Sequence, residues 1–123
     1  MIFFDRRSGT VTLSSGKVLS RSTWSGHGSA HNDPAREQQK GIGPLPAGDY
    51  DLGPLEAQHG HLGHDVMALT PRAGTQTYGR GDFFWHGDHP NDTDWSASDD
   101  CMISDHSVRI AANQETDRVV RVI

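Results

Sequence analysis

Fourteen glycines and six prolines interrupt a chain of 123 residues, and this punctuation confines it to short elements joined by turns. Together they make up about 16% of the chain, above the usual ~12% but below the range of low-complexity sequences. A helical bundle needs long uninterrupted periodic segments, so the pattern favours a turn-rich β protein. A chain this long is expected to form one domain over residues 1–123, with a single core that removes roughly two-thirds of the extended-chain surface from water. No internal repeat, linker or second domain is visible.

Hydrophobic alternation then locates the strands. Ile2-Phe3-Phe4 and Thr10-Val11-Thr12-Leu13 flank the charged turn from Asp5 to Gly9, and Ser15-Gly16 turns the chain into Lys17-Val18-Leu19, which reads as a meander. Residues 25–34 lack apolar periodicity and read as a loop, and residues 35–40 read as one helical turn. A rigid Gly43–Gly48 connector leads into a strand over Asp49–Leu52 that is expected to close at Gly53-Pro54. His64–Thr70 and Asp82–His86 are further strands. In the latter, period-2 geometry gives Phe84 and His86 one face and Phe83 and Trp85 the other. Cys101-Met102-Ile103 is a short apolar step, Ser104 or Asp105 can N-cap a helix over His106–Asn113, and Arg118–Ile123 closes the chain as a β-branched strand.

The net charge is −5, which excludes the basic footprint expected of a partner for nucleic acid or an anionic membrane. No stretch approaches the ~20 apolar residues of a membrane span, so membrane insertion is not expected. Met1-Ile2-Phe3-Phe4-Asp5-Arg6-Arg7 lacks the leading charge and apolar run of a secretory signal. Synthesis in the cytoplasm without a cleaved signal peptide is therefore expected.

The chain has one cysteine, Cys101, which excludes an intramolecular disulfide and a zinc site built on several thiolates. It is either a small buried hydrophobe or a reactive thiol. His86 ends a strand 15 residues earlier, and a cysteine nucleophile needs a base within hydrogen-bond reach and donors for the developing oxyanion. Spacing alone leaves both readings open, since a chain with eight histidines always yields some such pair.

Five segments flank this pair in a fixed order. They are Ser25-Gly26-His27-Gly28, then Gly43-Pro44-Leu45-Pro46-Ala47-Gly48-Asp49-Tyr50-Asp51-Leu52-Gly53, then Met67-Ala68-Leu69-Thr70-Pro71. Gly79-Arg80-Gly81 with Phe84-Trp85-His86-Gly87-Asp88 follows, and last Ala97-Ser98-Asp99-Asp100-Cys101-Met102-Ile103 with Val108-Arg109. Taken together, from about Trp24 to Arg109, they resemble the compact L,D-transpeptidase-related domain of type VI secretion effectors that attack peptidoglycan.

The resemblance implies a mainly β domain, a small antiparallel β-sandwich or flattened barrel of L,D-transpeptidase type with one or two short helices. It makes Cys101 the nucleophile and His86 the general base, with a backbone carbonyl near Gly87 fixing the imidazole tautomer. Ser98 matches the serine of the Ser-x-Gly-Cys signature, while Asp100 stands where that signature has glycine. Asp100, Ser98, His27, Trp24 and Arg80 are the expected oxyanion and substrate-binding residues. The implied reaction removes or exchanges the terminal D-alanine of a tetrapeptide stem through a thioester, without a metal or organic cofactor. The implied partners are peptidoglycan stem peptides, a secretion machinery and a cognate immunity protein, with action in the periplasm of a target cell. Two alternatives stand beside this reading: a Cys/His cell-wall amidase, and a peptidoglycan- or partner-binding module in which Asp100 has impaired the chemistry. His59, His61 and His64 read as a flexible histidine-rich turn rather than a metal site, and the acidic run between Asp88 and Asp100 as a solvated loop.

Overall fold

The computed structural model describes residues 1–88 and 100–123, apart from the side chain of His61. The strands are β1 (Ile2–Asp5), β2 (Thr10–Leu13), β3 (Val18–Ser20), β4 (Trp24–Ser25), β5 (Gly48–His59), β6 (Gly63–Pro71), β7 (Phe84–His86), β8 (Met102–Ile103) and β9 (Val119–Val122). A single α-helix among the described residues, α1, spans His106–Asn113. All the strands join one sheet in the order β3-β2-β1-β9-β5-β6-β7-β8-β4. The mainly β reading with one short α-helix holds. Its arrangement is not an antiparallel sandwich or barrel but one mixed sheet, with β1–β9 and β7–β8 parallel and the other neighbours antiparallel, and it stays open because the edge strands β3 and β4 do not pair.

The meander forms as its alternation requires. Ile2 pairs with Leu13 and Asp5 with Thr10, so Ile2, Phe4 and Val11 turn inward and are fully buried. Asp5 Oδ1 accepts from the N–H of Arg7 at 3.0 Å, a side-chain turn of the kind aspartate favours. β5 does not stop at Gly53-Pro54 as expected. It runs on to His59 through a register irregularity between Leu52 and Leu55, and the missing N–H of Pro54 falls where the ladder is already interrupted. β7 is shorter than expected because Asp82 sits at φ 57°, a left-handed conformation that cannot continue a strand. The turn over 35–40 is a 3-10 turn at Pro34–Arg36, with Asp33 accepting from the N–H of Ala35.

The core fills the inward face, with Tyr50, Met67, Trp85 and Met102 buried beside Val108 and Ala112 of α1. Each large apolar side chain so buried is worth about 1.5–3 kcal/mol. A polar node closes one side. Arg6 Nε donates to the terminal carbonyl of Ile123 at 3.0 Å, and its Nη1 donates to Leu45 O at 3.2 Å and to Glu37 Oε1 at 2.7 Å. Glu37 also accepts from Tyr78 Oη at 2.8 Å and Ala47 N at 3.2 Å. One buried guanidinium thus ties the first strand to the last and to the Gly43–Gly48 connector.

Burial alone would raise the Glu37 pKa, but the hydrogen bonds from Arg6, Tyr78 and Ala47 outweigh it and hold the carboxyl below its ordinary 4.5. A depressed folded value means the stabilisation is present above about pH 4.5 and is lost as pH falls through the lower folded value. Glu37→Gln should therefore lose about 1–2 kcal/mol at neutral pH and show a shallower further loss in acid. Urea unfolding across that pH range checks this, and parallel slopes in the two proteins would show that Glu37 is not the linked group.

Candidate active site

The parallel register of β7 with β8 sorts the side chains around the cysteine into two sets. Trp85 lies opposite Met102 and His86 opposite Ile103. Trp85 and Met102 both belong to the main core cluster, so alternation turns His86 and Ile103 to the other face. Cys101 immediately precedes β8, and the same alternation groups it with Ile103 and His86. Across β4, Trp24 pairs with Ile103 and joins this face, whereas Ser25 pairs with Met102. Ser25 serves the core side, where its Oγ accepts from Leu45 N at 2.8 Å.

His86 is only 2% exposed, and its Nδ1 lies 2.8 Å from the carbonyl oxygen of Gly87. A carbonyl only accepts, so Nδ1 carries the proton and Nε2 is the basic nitrogen. Gly87 is itself constrained. A Cβ there would lie 2.8 Å from Arg109 Nη1 and 3.1 Å from Nη2, so the guanidinium of Arg109 lies against the bare Cα.

The thiol of Cys101 is buried, at 7% exposure, with Sγ 3.5 Å from Asp100 Oδ1 and 3.9 Å from Asp82 O. Both acceptors favour the protonated thiol, and the Asp100 charge opposes the thiolate. Arg80 works in the other direction. Burial lowers its pKa, while the negative charges of Asp100 and of ionised Cys101 raise it, so its cation attracts both groups. Its guanidinium does not contact the sulfur directly. It is held by the carbonyls of Gly43 (2.7 Å) and Pro44 (2.8 Å), and by that of Glu37. Arg80, expected among the substrate contacts, is thus committed to the scaffold and reaches the thiol through its charge.

The other expected residues are distributed around this face. The ring of Trp24 stands edge-on to His31 at 6.5 Å. His27 N-caps the 3-10 turn at Gly28–Ala30 and donates its N–H to Ile42 O at 2.7 Å. Gly26 at φ 101° leaves no room for a side chain, since a Cβ would meet Ala30 O at 2.9 Å. Ser98 and the acidic run from His89 to Asp99, Trp95 included, lie outside the described residues. The helix begins at His106 as expected, with β8 and Ser104-Asp105 between it and the cysteine. His59 packs on Phe84 at 4.8 Å, and His64 Nδ1 lies 3.3 Å from Ala57 O. Among the described residues no three ligating side chains converge on a metal position.

Arg109, singled out in sequence only as part of a motif, proves to be the cation touching Gly87. Its signal was its place between inward-facing Val108 and Ala112 on a short helix.

A protein-family model described as the Tlde1 domain matches residues 20–122. The match takes in His86, Cys101 and Arg109 and leaves out β1 and β2. No curated protein and no solved structure matches the chain.

The contact between Asp100 and the thiol makes a prediction that needs no substrate. Asp100→Asn keeps the shape and removes the charge that opposes the thiolate, and alkylation of Cys101 by iodoacetamide at neutral pH should speed up by about tenfold. An unchanged or slower rate would show that the carboxylate does not oppose the thiolate.

Proposed function

The chain belongs to the Tlde1 family of type VI secretion effectors, and from that premise we propose that it is a cysteine L,D-transpeptidase or L,D-carboxypeptidase acting on peptidoglycan tetrapeptide stems. Membership implies a secretion machinery that delivers it and an immunity protein that protects the producing cell. Among the described residues no helix is long and apolar enough to cross a membrane. The observation that carries the chemical reading is the histidine beside the thiol's strand, with Nδ1 2.8 Å from the Gly87 carbonyl and Nε2 as the proton acceptor.

In the proposed reaction His86 Nε2 takes the proton from Cys101 Sγ. The thiolate attacks the carbonyl carbon at the L-centre of the third stem residue, and a tetrahedral oxyanion forms. As it collapses, the C–N bond to the terminal D-alanine breaks and the departing amine takes the proton back from the imidazolium. A thioester remains. Water, a free D-amino acid or a second stem's amine then attacks it, loses a proton to His86 and releases the thiol. These outcomes are hydrolysis, exchange and a crosslink. Trp24 and His27 would border the peptide, with Asp100 on the oxyanion side. Toxicity to a competing bacterium would follow from loss of the stems that normal crosslinking needs.

A second reading has its own observation. Asp100 Oδ1 lies 3.5 Å from the sulfur, where it favours the neutral thiol, and this supports a module that holds peptidoglycan without cutting it.

Incubation with purified tetrapeptide muropeptides, followed by mass spectrometry, separates these readings. The expected result is loss of the terminal D-alanine, abolished in Cys101→Ala and reduced at least about 10³-fold in His86→Ala, as for removal of a nucleophile–base pair. Cleavage elsewhere in the stem would make the protein an amidase. Intact stems with measurable binding would make it the binding module.

A further inference from the structure

A pocket of about 570 Å³ opens beside Gly87, bounded by Gly63, Asp65, Gly87, Asp88, His106 and Arg109. Arg109 is the unusual member. It is 5% exposed, yet its Nε and Nη1 have no hydrogen-bond partner among the described residues. Burial lowers its pKa, and the charges of Asp65 and Asp105 raise it without forming an ion pair with it. Asp65 is instead engaged by His106 Nε2. A buried guanidinium with unmet donors is costly unless something supplies the acceptor. The other two buried arginines are mostly satisfied. Arg6 donates to two backbone carbonyls and to Glu37, and Arg80 fills both terminal nitrogens with carbonyls and leaves only its Nε unmet, whereas the Arg109 guanidinium has no hydrogen bond to any described residue.

We infer that Arg109 is a specificity residue that binds the terminal carboxylate of the peptide's leaving residue, in a subsite beside the proposed base. This rests on the peptidase reading and deepens it. An enzyme that removes a chain-terminal residue must distinguish a terminus from an interior bond, and the free carboxylate is the terminus's chemical signature. A planar guanidinium matches a carboxylate two-point acceptor. Its face against Gly87 couples the subsite to the residue whose carbonyl receives the His86 Nδ1 proton, so an occupied anchor and an oriented base share one wall. Asp88 lines the same pocket, so the anion is held by direct hydrogen bonds to Arg109 rather than by long-range attraction.

The test compares a tetrapeptide bearing a free C-terminal carboxylate with the same peptide as its C-terminal carboxamide. The wild-type protein should prefer the acid by about 30-fold in kcat/KM, the size of one charged hydrogen-bonded contact. Arg109→Gln should abolish the preference, bringing the acid's kcat/KM down to the amide's, with Arg109→Lys between. Equal losses on both peptides would mean that Arg109 only supports Gly87, and would overturn the subsite. A second measurement on the unmutated protein does not depend on turnover. N-acetyl-D-alanine, titrated while the Arg109 Nε–H and Gly87 N–H resonances are followed by NMR, should give a saturable shift that its carboxamide does not. No shift would overturn the proposal even in an active enzyme. A saturable shift in a protein that cleaves no stem would uphold the subsite and sink the peptidase reading.

Discussion

The parallel pairing of β7 with β8 decides what this sheet can do. Parallel neighbours require a crossover of a dozen or more residues between them, and the 15-residue separation of His86 from Cys101 meets that requirement. Once Trp85 is fixed opposite Met102 and buried in the core, strand alternation leaves His86 no choice of face. A one-residue slip would send the imidazole into the apolar core and the indole to the outside. Trp85 also donates its Nε1–H to Ser104 Oγ at 2.7 Å, which satisfies its polar atom only in this register. The histidine's orientation is therefore held by the hydrophobic burial of its neighbour.

Buried arginines supply what the apolar content does not. Hydrophobic residues make up only 33% of the chain, and the loops over 26–47 carry many backbone carbonyls into the interior. Arg6 and Arg80 satisfy several of these, at Leu45, Gly43 and Pro44, as well as Ile123 at the other end of the chain. A fixed planar fork can serve two or three carbonyls at once, which one serine or threonine hydroxyl cannot. This use of arginine makes the glycine- and proline-rich connector rigid although it has no strand partner of its own. Against that pattern Arg109 stands out, because its fork faces Gly87 and a pocket instead of carbonyls.

Local sequence carried the fold where local chemistry decides it. The β1–β3 meander follows from alternation and from the side chain of Asp5, and α1 from Val108 and Ala112 at helical spacing, although its N-cap residue Asp105 makes no side-chain cap bond. It failed where distant residues decide. Gly53-Pro54 is a breaker by composition, yet the long partner strand β6 carries β5 past it through a bulge. Closure into a sandwich or barrel depends on how far the sheet's edges travel, and no residue pattern encodes that. At the site, His86 and Cys101 were visible as residue types, but their common face depends on the β7–β8 register. Arg80 was visible only as a cation between two glycines. Its three carbonyl partners lie around 40 residues away, and no spacing rule reaches that far.

The electrostatics around the thiol follow from the same long-range contacts. A carboxylate 3.5 Å from the sulfur would, alone, hold Cys101 as a thiol. A mobile surface cation could offset it only weakly, since it would be solvated and screened. Arg80 is neither mobile nor solvated. Pinned by carbonyls, it cannot swing onto Asp100 to form a closed ion pair that would leave the sulfur uncompensated. Its charge is shared between Asp100 and Cys101. The thiol thus rests between a carboxylate that opposes its ionisation and a fixed cation that favours it. A thiolate formed there would meet a cation already fixed in place by its carbonyl contacts. Preorganised charge of this kind offsets a neighbouring carboxylate without the reorganisation that a solvated cation would need.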